Sequence, residues 1–271
     1  MKILFISHHK WPRIGGVEVH IRELSEELKK KNYKITTISE EDIKPPKIKL
    51  LGLLYIWFWF LKNIKIFINA DIVHIHDVFI WIFPVRLLLP FKKIYITFHG
   101  WEGKYPIPVY NILNKKLASL LCNGSIAVGK YIEKYYGIKA NYIVYGGINP
   151  ILQKMQGIQK IKNTLVWLGR KDADTGYFEF QKWLTKNQQL NVAYLTNEPN
   201  PEKFLKTVEY CVPSGYLSYL EAKNYGCKII TFPNSPLKID YWNEIKNLKT
   251  IPTWNNISDI YLKLWNIKYI L

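Results

Sequence analysis

The chain has 271 residues, 48% of them hydrophobic and 22% charged, so it can bury a sizeable core and is not a disordered protein. It carries 38 Lys and Arg residues against 21 Asp and Glu residues. The net charge of +17 favours anionic partners, namely phosphates, an acidic membrane surface or nucleic acid, although a lysine-rich solvated surface would give the same total. Three cysteines without metal-binding spacing predict neither a zinc site nor a disulfide framework, and fit a reducing compartment.

The N-terminal segment MKILFIS predicts a β-strand, and its apolar run is too short for the core of a signal peptide, so we expect a cytoplasmic protein. A loop, a predicted helix at residues 17–31 and a predicted strand at residues 33–39 follow. This order is typical of a βαβ unit and therefore of a parallel sheet. Gly15 and Gly16 stand at the start of the helix, where the backbone can approach a ligand closely.

Two long apolar stretches lie at residues 50–61 (LLGLLYIWFWFL) and 79–91 (FIWIFPVRLLLPF). Both are shorter than the roughly 20 residues that a membrane-spanning helix needs. Each is either a largely buried helix or a helix whose aromatic side rests in a membrane interface beside flanking lysines. Two such stretches in one half of a basic protein keep peripheral contact with the inner face of a membrane open as a hypothesis.

Residues 71–77 (DIVHIHD) and 93–98 (KIYITF) predict two further strands. His74 and His76 share a face of the first of these, but no third ligand follows at a recognisable spacing, so we predict no metal site. The second strand ends in His99. Ligands bind at the carboxyl ends of parallel strands, which makes this histidine a candidate site residue.

The alternation of helices and strands continues to about residue 150, where the polar segment at residues 151–163 indicates a linker. We therefore predict two domains, at residues 1–150 and 151–271. The second begins with a strand at residues 164–168 that ends in Gly169 and Arg170, and a guanidinium suits phosphate oxygens. The chain ends in a predicted amphipathic helix at residues 254–271.

Residues 211–232 predict a strand, a turn, a helix and a strand. Ser214 is the expected cap of the helix, and Gly226 ends it. Glu221 lies one turn inside, near a helix N-terminus that, if free, would attract anions. A solvated carboxylate on a helix is the alternative interpretation of Glu221.

Taken together and in order, these motifs resemble the retaining GT-B glycosyltransferases of family 4 over nearly the whole chain. The matching strings are GGVEVHIRELSEEL at the first helix, the strand that ends in His99 and Gly100, the strand that ends in Gly169 and Arg170, and the segment from Pro213 to Gly226. The resemblance implies an α/β fold in which two Rossmann-like domains face each other across a cleft, with the final helix returning to the first domain. It also implies transfer of a hexose from a UDP- or GDP-sugar, with no cofactor and no essential metal.

The resemblance also assigns roles to residues. It places His99 against the transferring sugar as the catalytic residue, Arg170 at the donor diphosphate and Glu221 at the ribose hydroxyls. The donor-binding residues that it implies are Gly15, Gly16, Arg170, Lys171, Gly215, Tyr216 and Glu221. The acceptor stays open, and a lipid-linked or membrane-proximal molecule is one candidate.

Two positions depart from the family pattern. Pro213 stands where the family has a glutamate, and Thr175 stands where it has a lysine, for which the neighbouring Lys171 is a candidate substitute. These departures keep a second hypothesis open, a catalytically weakened GT-B protein that acts as a membrane-associated scaffold. A glycosyltransferase acting on nucleic acid is less favoured, because the sequence shows no basic stripe interleaved with solvent-facing aromatic residues.

Overall fold

The computed structural model describes residues 1–100, 103–149 and 159–266. Within these ranges ten strands form two parallel sheets. The strands of the first sheet are β1 (Lys2–Ile6), β2 (Lys34–Ile38), β3 (Ile72–His76), β4 (Ile94–Phe98), β5 (Gly124–Val128) and β6 (Tyr142–Val144). Those of the second sheet are β7 (Ile161–Leu168), β8 (Asn191–Leu195), β9 (Val208–Pro213) and β10 (Lys228–Ile229).

Helices connect the strands, as parallel pairing requires. In the first part of the chain they are α1 (Gly16–Lys30), α2 (Glu40–Ile43), α3 (Lys49–Lys62), α4 (Lys65–Asn69), α5 (Phe83–Leu88), α6 (Val109–Leu121) and α7 (Tyr131–Tyr136). In the second part they are α8 (Tyr177–Leu184), α9 (Glu202–Leu205), α10 (Tyr216–Asn224), α11 (Pro236–Lys246) and α12 (Trp254–Leu264). The predicted α/β architecture with two parallel sheets is confirmed.

The strand orders are β2-β1-β3-β4-β5-β6 in the first sheet and β10-β9-β7-β8 in the second. In each sheet the chain moves outwards from its first strand and then returns to pair on that strand's other side. This reversal creates a switch point between β1 and β3, and another between β7 and β9. Ligands of open α/β sheets bind outside the carboxyl ends of the strands at such points, so the topology tells us where to look for a site.

The two sheets are joined by packed aromatic residues. The ring of Tyr131, at the start of α7, lies with its centroid 6.2 Å from that of Tyr216 on α10 and 5.2 Å from that of Tyr241 on α11. Helix α11 packs against α7, and α12 packs against α1 and β6. One buried apolar cluster therefore contains residues from both parts of the chain.

Several local expectations are wrong. The second strand expected within residues 211–232 contains only Lys228–Ile229. The short helix α2, which follows β2, was not predicted. Helix α11 was not predicted, although Ser235 caps it by accepting a hydrogen bond from the Lys238 amide. Most of the expected linker, together with residues 267–271 of the predicted final helix, lies outside the described residues.

The long apolar stretch at residues 50–61 forms most of α3, and only one side of this helix is buried. Ile56 and Phe60 belong to the core, whereas Leu54 and Phe58 are exposed. Of the two alternatives for this stretch, the largely buried helix is therefore wrong for the exposed side of α3. No helix in the part of the chain that the structure describes combines the length and the apolar character needed to cross a membrane.

Candidate active site at the carboxyl ends of the sheets

The switch point of the second sheet brings the turn after β7 against the turn after β9. The Ser214 amide donates to the Leu168 carbonyl at 2.9 Å, and Gly169 has a φ of 128°. A Cβ on Gly169 would collide with the Ser214 side chain. Glycine is therefore needed at residue 169 both for its backbone conformation and for this close approach.

We expect a Gly169→Ala variant to lose about 2 kcal/mol or more of unfolding free energy, because it combines backbone strain with a steric clash. Urea unfolding measures the loss. Adding Ser214→Gly should recover part of it, since this removes the clash and leaves the strain. A Gly169→Ala protein as stable as the wild type would contradict the described turn.

Arg170 extends from this turn and is more than half exposed. Its guanidinium pairs with the carboxylates of Asp172 at 2.8 Å and Asp174 at 2.9 Å. These two acids orient the side chain, and an anionic ligand would have to compete with them. Lys171 lies with its Nζ 4.3 Å from the centre of the Tyr194 ring, a cation–π contact.

Thr175, which stands where the resemblance implies a lysine, has a structural role. Its side chain is buried, and its hydroxyl lies 2.6 Å from the Asp172 carbonyl and 3.1 Å from the Arg170 carbonyl. The hydroxyl therefore closes the loop that carries Arg170. The next residue, Gly176, has a φ of 81° and is the N-cap residue of α8.

The start of α10 is less open than the sequence suggests. Gly215, not Ser214, is the N-cap residue, and its amide donates to the Ser218 hydroxyl at 3.1 Å. The Tyr216 amide donates to the Tyr241 hydroxyl at 2.9 Å. The expectation of a free helix N-terminus is wrong for these two amides. The Tyr216 ring is buried and stacks on Tyr241 with 3.8 Å between centroids, so the structure places it between the two sheets.

His99 follows β4 at the carboxyl edge of the first sheet. Its amide donates to the Asp77 carboxylate at 3.1 Å, its carbonyl accepts from the Tyr131 hydroxyl at 3.3 Å, and its Nε2 lies 2.9 Å from Nδ1 of His76. Within the part of the chain that the structure describes, its Nδ1 has no partner. Burial, with smaller contributions from His20, Lys115 and His74, holds the pKa of His99 well below its usual range. The ring is therefore a neutral hydrogen-bonding group at physiological pH.

Beside His99 lies a buried hydrogen-bond chain that sequence analysis did not find. The side chains of His20, Tyr261, Thr97, His74 and Trp265 are linked in that order, at 2.9, 2.8, 2.7 and 3.0 Å. These hydrogen bonds connect Tyr261 on α12 and the following Trp265 to β3, β4 and α1. Both ring nitrogens of His74 are used in it, so His74 and His76 do not form a metal-binding pair.

At the start of α1, Gly16 is exposed and faces open space, whereas the carboxylate of Glu18 folds back beside Gly15. A ligand could reach the Gly16 backbone directly. An anion approaching Gly15 would have to displace the Glu18 side chain, because like charges repel.

Glu221 lies on α10 where the two parts of the chain meet. Burial, followed by the charges of Glu202 and Glu23, raises the pKa of Glu221 to about 7, and Arg22 opposes this shift. Arg22 stacks over the Trp11 ring at 4.2 Å and, like Glu23, belongs to α1. Glu221 is thus within electrostatic reach of the helix that begins after Gly15.

Among the described residues, one group of side chains could hold a metal ion. The ligand atoms of His8, His9 and Glu40 lie within 4.8 Å of one another, next to the end of β1. His9 also lies 2.9 Å from the Glu41 carboxylate. No local sequence pattern indicates this group, because the two histidines and the acids are about 30 positions apart.

The structure brings some of the predicted residues near one another, through two separate sets of contacts. Gly169, Arg170 and Gly215 stand at adjoining strand ends of the second sheet, and the Tyr131 side chain joins His99 to Tyr216. A groove of about 540 Å³ between α7 and α11 contains none of the predicted residues.

Comparisons with known proteins agree with this architecture. The model of a family described as Glycosyltransferase Family 4 matches residues 14–151, just over half of the chain. No curated protein sequence matches significantly. AviGT4, a glycosyltransferase involved in avilamycin A biosynthesis, has a TM-score of 0.59 at 11% identity, covering 98% of this chain and 97% of that one.

Two further solved structures are similar. The UDP-GlcNAc 2-epimerase from Neisseria meningitidis bound to UDP-GlcNAc has a TM-score of 0.57 at 12% identity, covering 99% of this chain and 100% of that one. A glycosyltransferase from Rickettsia africae has a TM-score of 0.56 at 13% identity, covering 98% and 89%. Likeness at these identities shows a shared fold.

Proposed function

Because the chain belongs to glycosyltransferase family 4, we propose that it is a retaining glycosyltransferase that moves a hexose from a UDP- or GDP-sugar to an acceptor. The observation that carries this proposal is the meeting of strand ends from both sheets. The turns that carry Arg170 and Gly215 adjoin each other, and Tyr131 links the turn of His99 to the same place. A nucleotide sugar between them would contact both sheets.

In this proposal the donor diphosphate binds Arg170. As the sugar leaves, negative charge develops on the phosphate oxygen, and a preorganised guanidinium stabilises that charge. Asp172 and Asp174 hold the side chain in place beforehand and release it to the phosphate. No cofactor and no essential metal take part in the proposed reaction.

The bond changes take place on one face of the sugar. The acceptor oxygen bonds to the anomeric carbon while the bond from that carbon to the phosphate oxygen breaks, and the electron pair stays with the diphosphate. The proton of the acceptor hydroxyl passes to the leaving phosphate oxygen. His99 uses its Nδ1 to orient the sugar hydroxyls, and its low pKa keeps the ring neutral. An acceptor presented at a membrane is the class that we favour.

A second candidate function has specific support. Thr175 stands where the family has a lysine, and its hydroxyl donates to carbonyls of its own loop. Pro213 replaces a family glutamate at the end of β9. A chain that has lost these two groups would bind a partner or a nucleotide without transferring sugar, as a scaffold.

Calorimetric titration with UDP, GDP, UDP-glucose, GDP-mannose and UDP-GlcNAc separates the two candidates. Saturable binding of nucleotides with one base, together with slow release of the nucleoside diphosphate from the matching sugar conjugate, supports the enzyme. Binding without turnover in the presence of candidate acceptors favours the scaffold. If none of the five compounds binds, the proposed donor site is contradicted.

The pH dependence of donor binding tests the role of Glu221. If the ionised carboxylate accepts hydrogen bonds from the ribose hydroxyls, binding lowers its pKa from about 7 and releases a proton, so affinity rises with pH. A group with this pKa is roughly one-tenth ionised at pH 6 and nine-tenths ionised at pH 8, which predicts about a tenfold gain in affinity. Isothermal titration at several pH values measures it.

A Glu221→Gln variant should bind more weakly at pH 8 and lose this slope. Glu209→Gln is the matched control, because Glu209 pairs with Lys228 at the edge of the second sheet. If the wild type and Glu221→Gln show equal slopes, Glu221 does not bind the ribose.

A further inference from the structure

We propose that an exposed apolar face on the first-sheet helices docks the protein onto the surface of an anionic lipid bilayer. This docking face consists of Leu50, Leu51, Leu54, Tyr55, Phe58 and Leu61 on α3, together with Leu87, Leu88 and Phe91 at the end of α5. The proposal goes beyond sugar transfer and rests on surface residues that take no part in the donor site.

Helix α3 carries most of the docking face. Leu50, Leu54, Phe58 and Leu61 recur at helical spacing along one side, and Leu50 and Phe58 are 68% and 63% exposed. The opposite side is fixed in the core by residues such as Phe60, which is fully buried. The exposed stripe therefore belongs to a firmly packed helix.

The end of α5 extends the apolar surface. Helix α5 packs against α3, and a 3₁₀ turn at Phe79–Ile82 contacts both helices. The Trp57 indole donates to the Ile80 carbonyl at 2.7 Å, which fixes α3 to this turn. Phe91, just beyond α5, is 97% exposed. Single exposed apolar residues are ordinary, but a cluster of this size indicates an interaction surface.

The charges around the docking face indicate which kind of surface binds it. Residues 44–132 contain 12 Lys and Arg residues and only three acids, Asp71, Asp77 and Glu102. Lys47, Lys62 and Lys65 flank α3 and are exposed, and among the described residues none of them forms an ion pair with an acid. Aromatic and aliphatic side chains bordered by lysines match a bilayer interface with anionic headgroups.

A second copy of the chain is a poorer occupant of the face. A symmetric dimer through α3 would bring the same lysines of both copies together with no acids between them, and like charges repel. Helix α3 has 14 residues, too few to span a bilayer, so it would lie in the plane of the interface.

The test is sedimentation of the full chain with vesicles of phosphatidylcholine, with and without phosphatidylglycerol. We expect strong binding only to the anionic vesicles, weakened by salt because the lysines contribute. The double variant Leu54→Glu/Phe58→Glu should lower vesicle binding at least about tenfold. Both side chains are exposed, so the fold should be retained, and circular dichroism checks this.

Phe178→Glu is the matched control, since Phe178 is 55% exposed on α8 in the second part of the chain. It should bind vesicles as the wild type does. Equal sedimentation of the wild type and the double variant would overturn the proposal. So would a dimer in gel filtration that the double variant dissociates, or tighter binding of the wild type to single-stranded DNA than to anionic vesicles.

Calorimetric titration of the double variant with the donor nucleotide keeps the two proposals apart. Donor affinity should be unchanged, because the docking face does not include any donor-site residue. If the protein binds vesicles but no nucleotide, the docking proposal stands and the proposed function is contradicted. If the protein binds nucleotide but no vesicles, the proposed function stands and the docking proposal is contradicted.

Discussion

If Arg170 binds the donor diphosphate as proposed, an Arg170→Ala variant will lose about 10²–10³-fold in kcat, because it removes the guanidinium that would stabilise the charge developing on the leaving group. The fold should be retained, since the side chain is more than half exposed and its ion pairs with described residues, Asp172 and Asp174, lie in the same loop. Release of the nucleoside diphosphate from the matching nucleotide sugar measures the loss. Arg170→Lys should recover only part of it, because an ammonium cannot bind two phosphate oxygens in the planar arrangement that a guanidinium offers.

Lys228→Ala is the matched control for charge. Lys228 lies on the edge strand β10, which β9 separates from β7, and it pairs with Glu209 on β9. Asp172→Asn should act in the opposite direction and tighten donor binding, because it removes a carboxylate that competes with phosphate. Full activity in Arg170→Ala would show that the diphosphate binds elsewhere.

A Trp167→Ala variant will lose about 3–5 kcal/mol of unfolding free energy. Trp167 is fully buried in β7 and packs against the rings of Phe180 and Tyr177, each with 5.1 Å between ring centroids. Its indole also donates to the Gly169 carbonyl at 3.1 Å, so the residue supports the turn that carries Arg170. Urea unfolding followed by circular dichroism measures the loss.

Trp183→Ala is the control, because Trp183 lies on α8 near the same cluster but is only partly buried, and it should cost clearly less. Trp167→Phe retains an aromatic ring and removes the indole hydrogen bond. We expect a smaller loss of about 1–2 kcal/mol and a weaker donor affinity. Equal losses for Trp167→Ala and Trp183→Ala would contradict the described packing of the second sheet.

The positions of several site residues followed from local sequence patterns. A short apolar run that ends in Gly169 and Arg170 predicts a buried strand followed by these two residues at its carboxyl end, and the structure has this strand. That the two residues bind a ligand stays a prediction. His99 follows β4 for the same reason. These predictions succeed because strand and helix periodicity are local properties, and because parallel pairing places all carboxyl ends at one edge.

Other features depend on partners far away in sequence. Tyr216 looks from the sequence like a cleft residue, but the rings of Tyr131 and Tyr241 bury it between the sheets. The Tyr261 hydroxyl reaches His20 across 241 positions, and no local pattern indicates such a pair. Helix α11 was missed because the pattern of residues 236–246 is only weakly amphipathic.

By itself the sequence determined the α/β class, the parallel βαβ units and the turns that carry Arg170 and His99, since each depends on residues close together in the chain. The tertiary structure alone decided which side of α3 faces solvent. Residues 50–61 are almost uniformly apolar, so periodicity cannot distinguish a buried side from an exposed one. It also decided the raised pKa of Glu221, because the burial and the charges of Glu202 and Glu23 that cause it come from separate segments that only folding brings together.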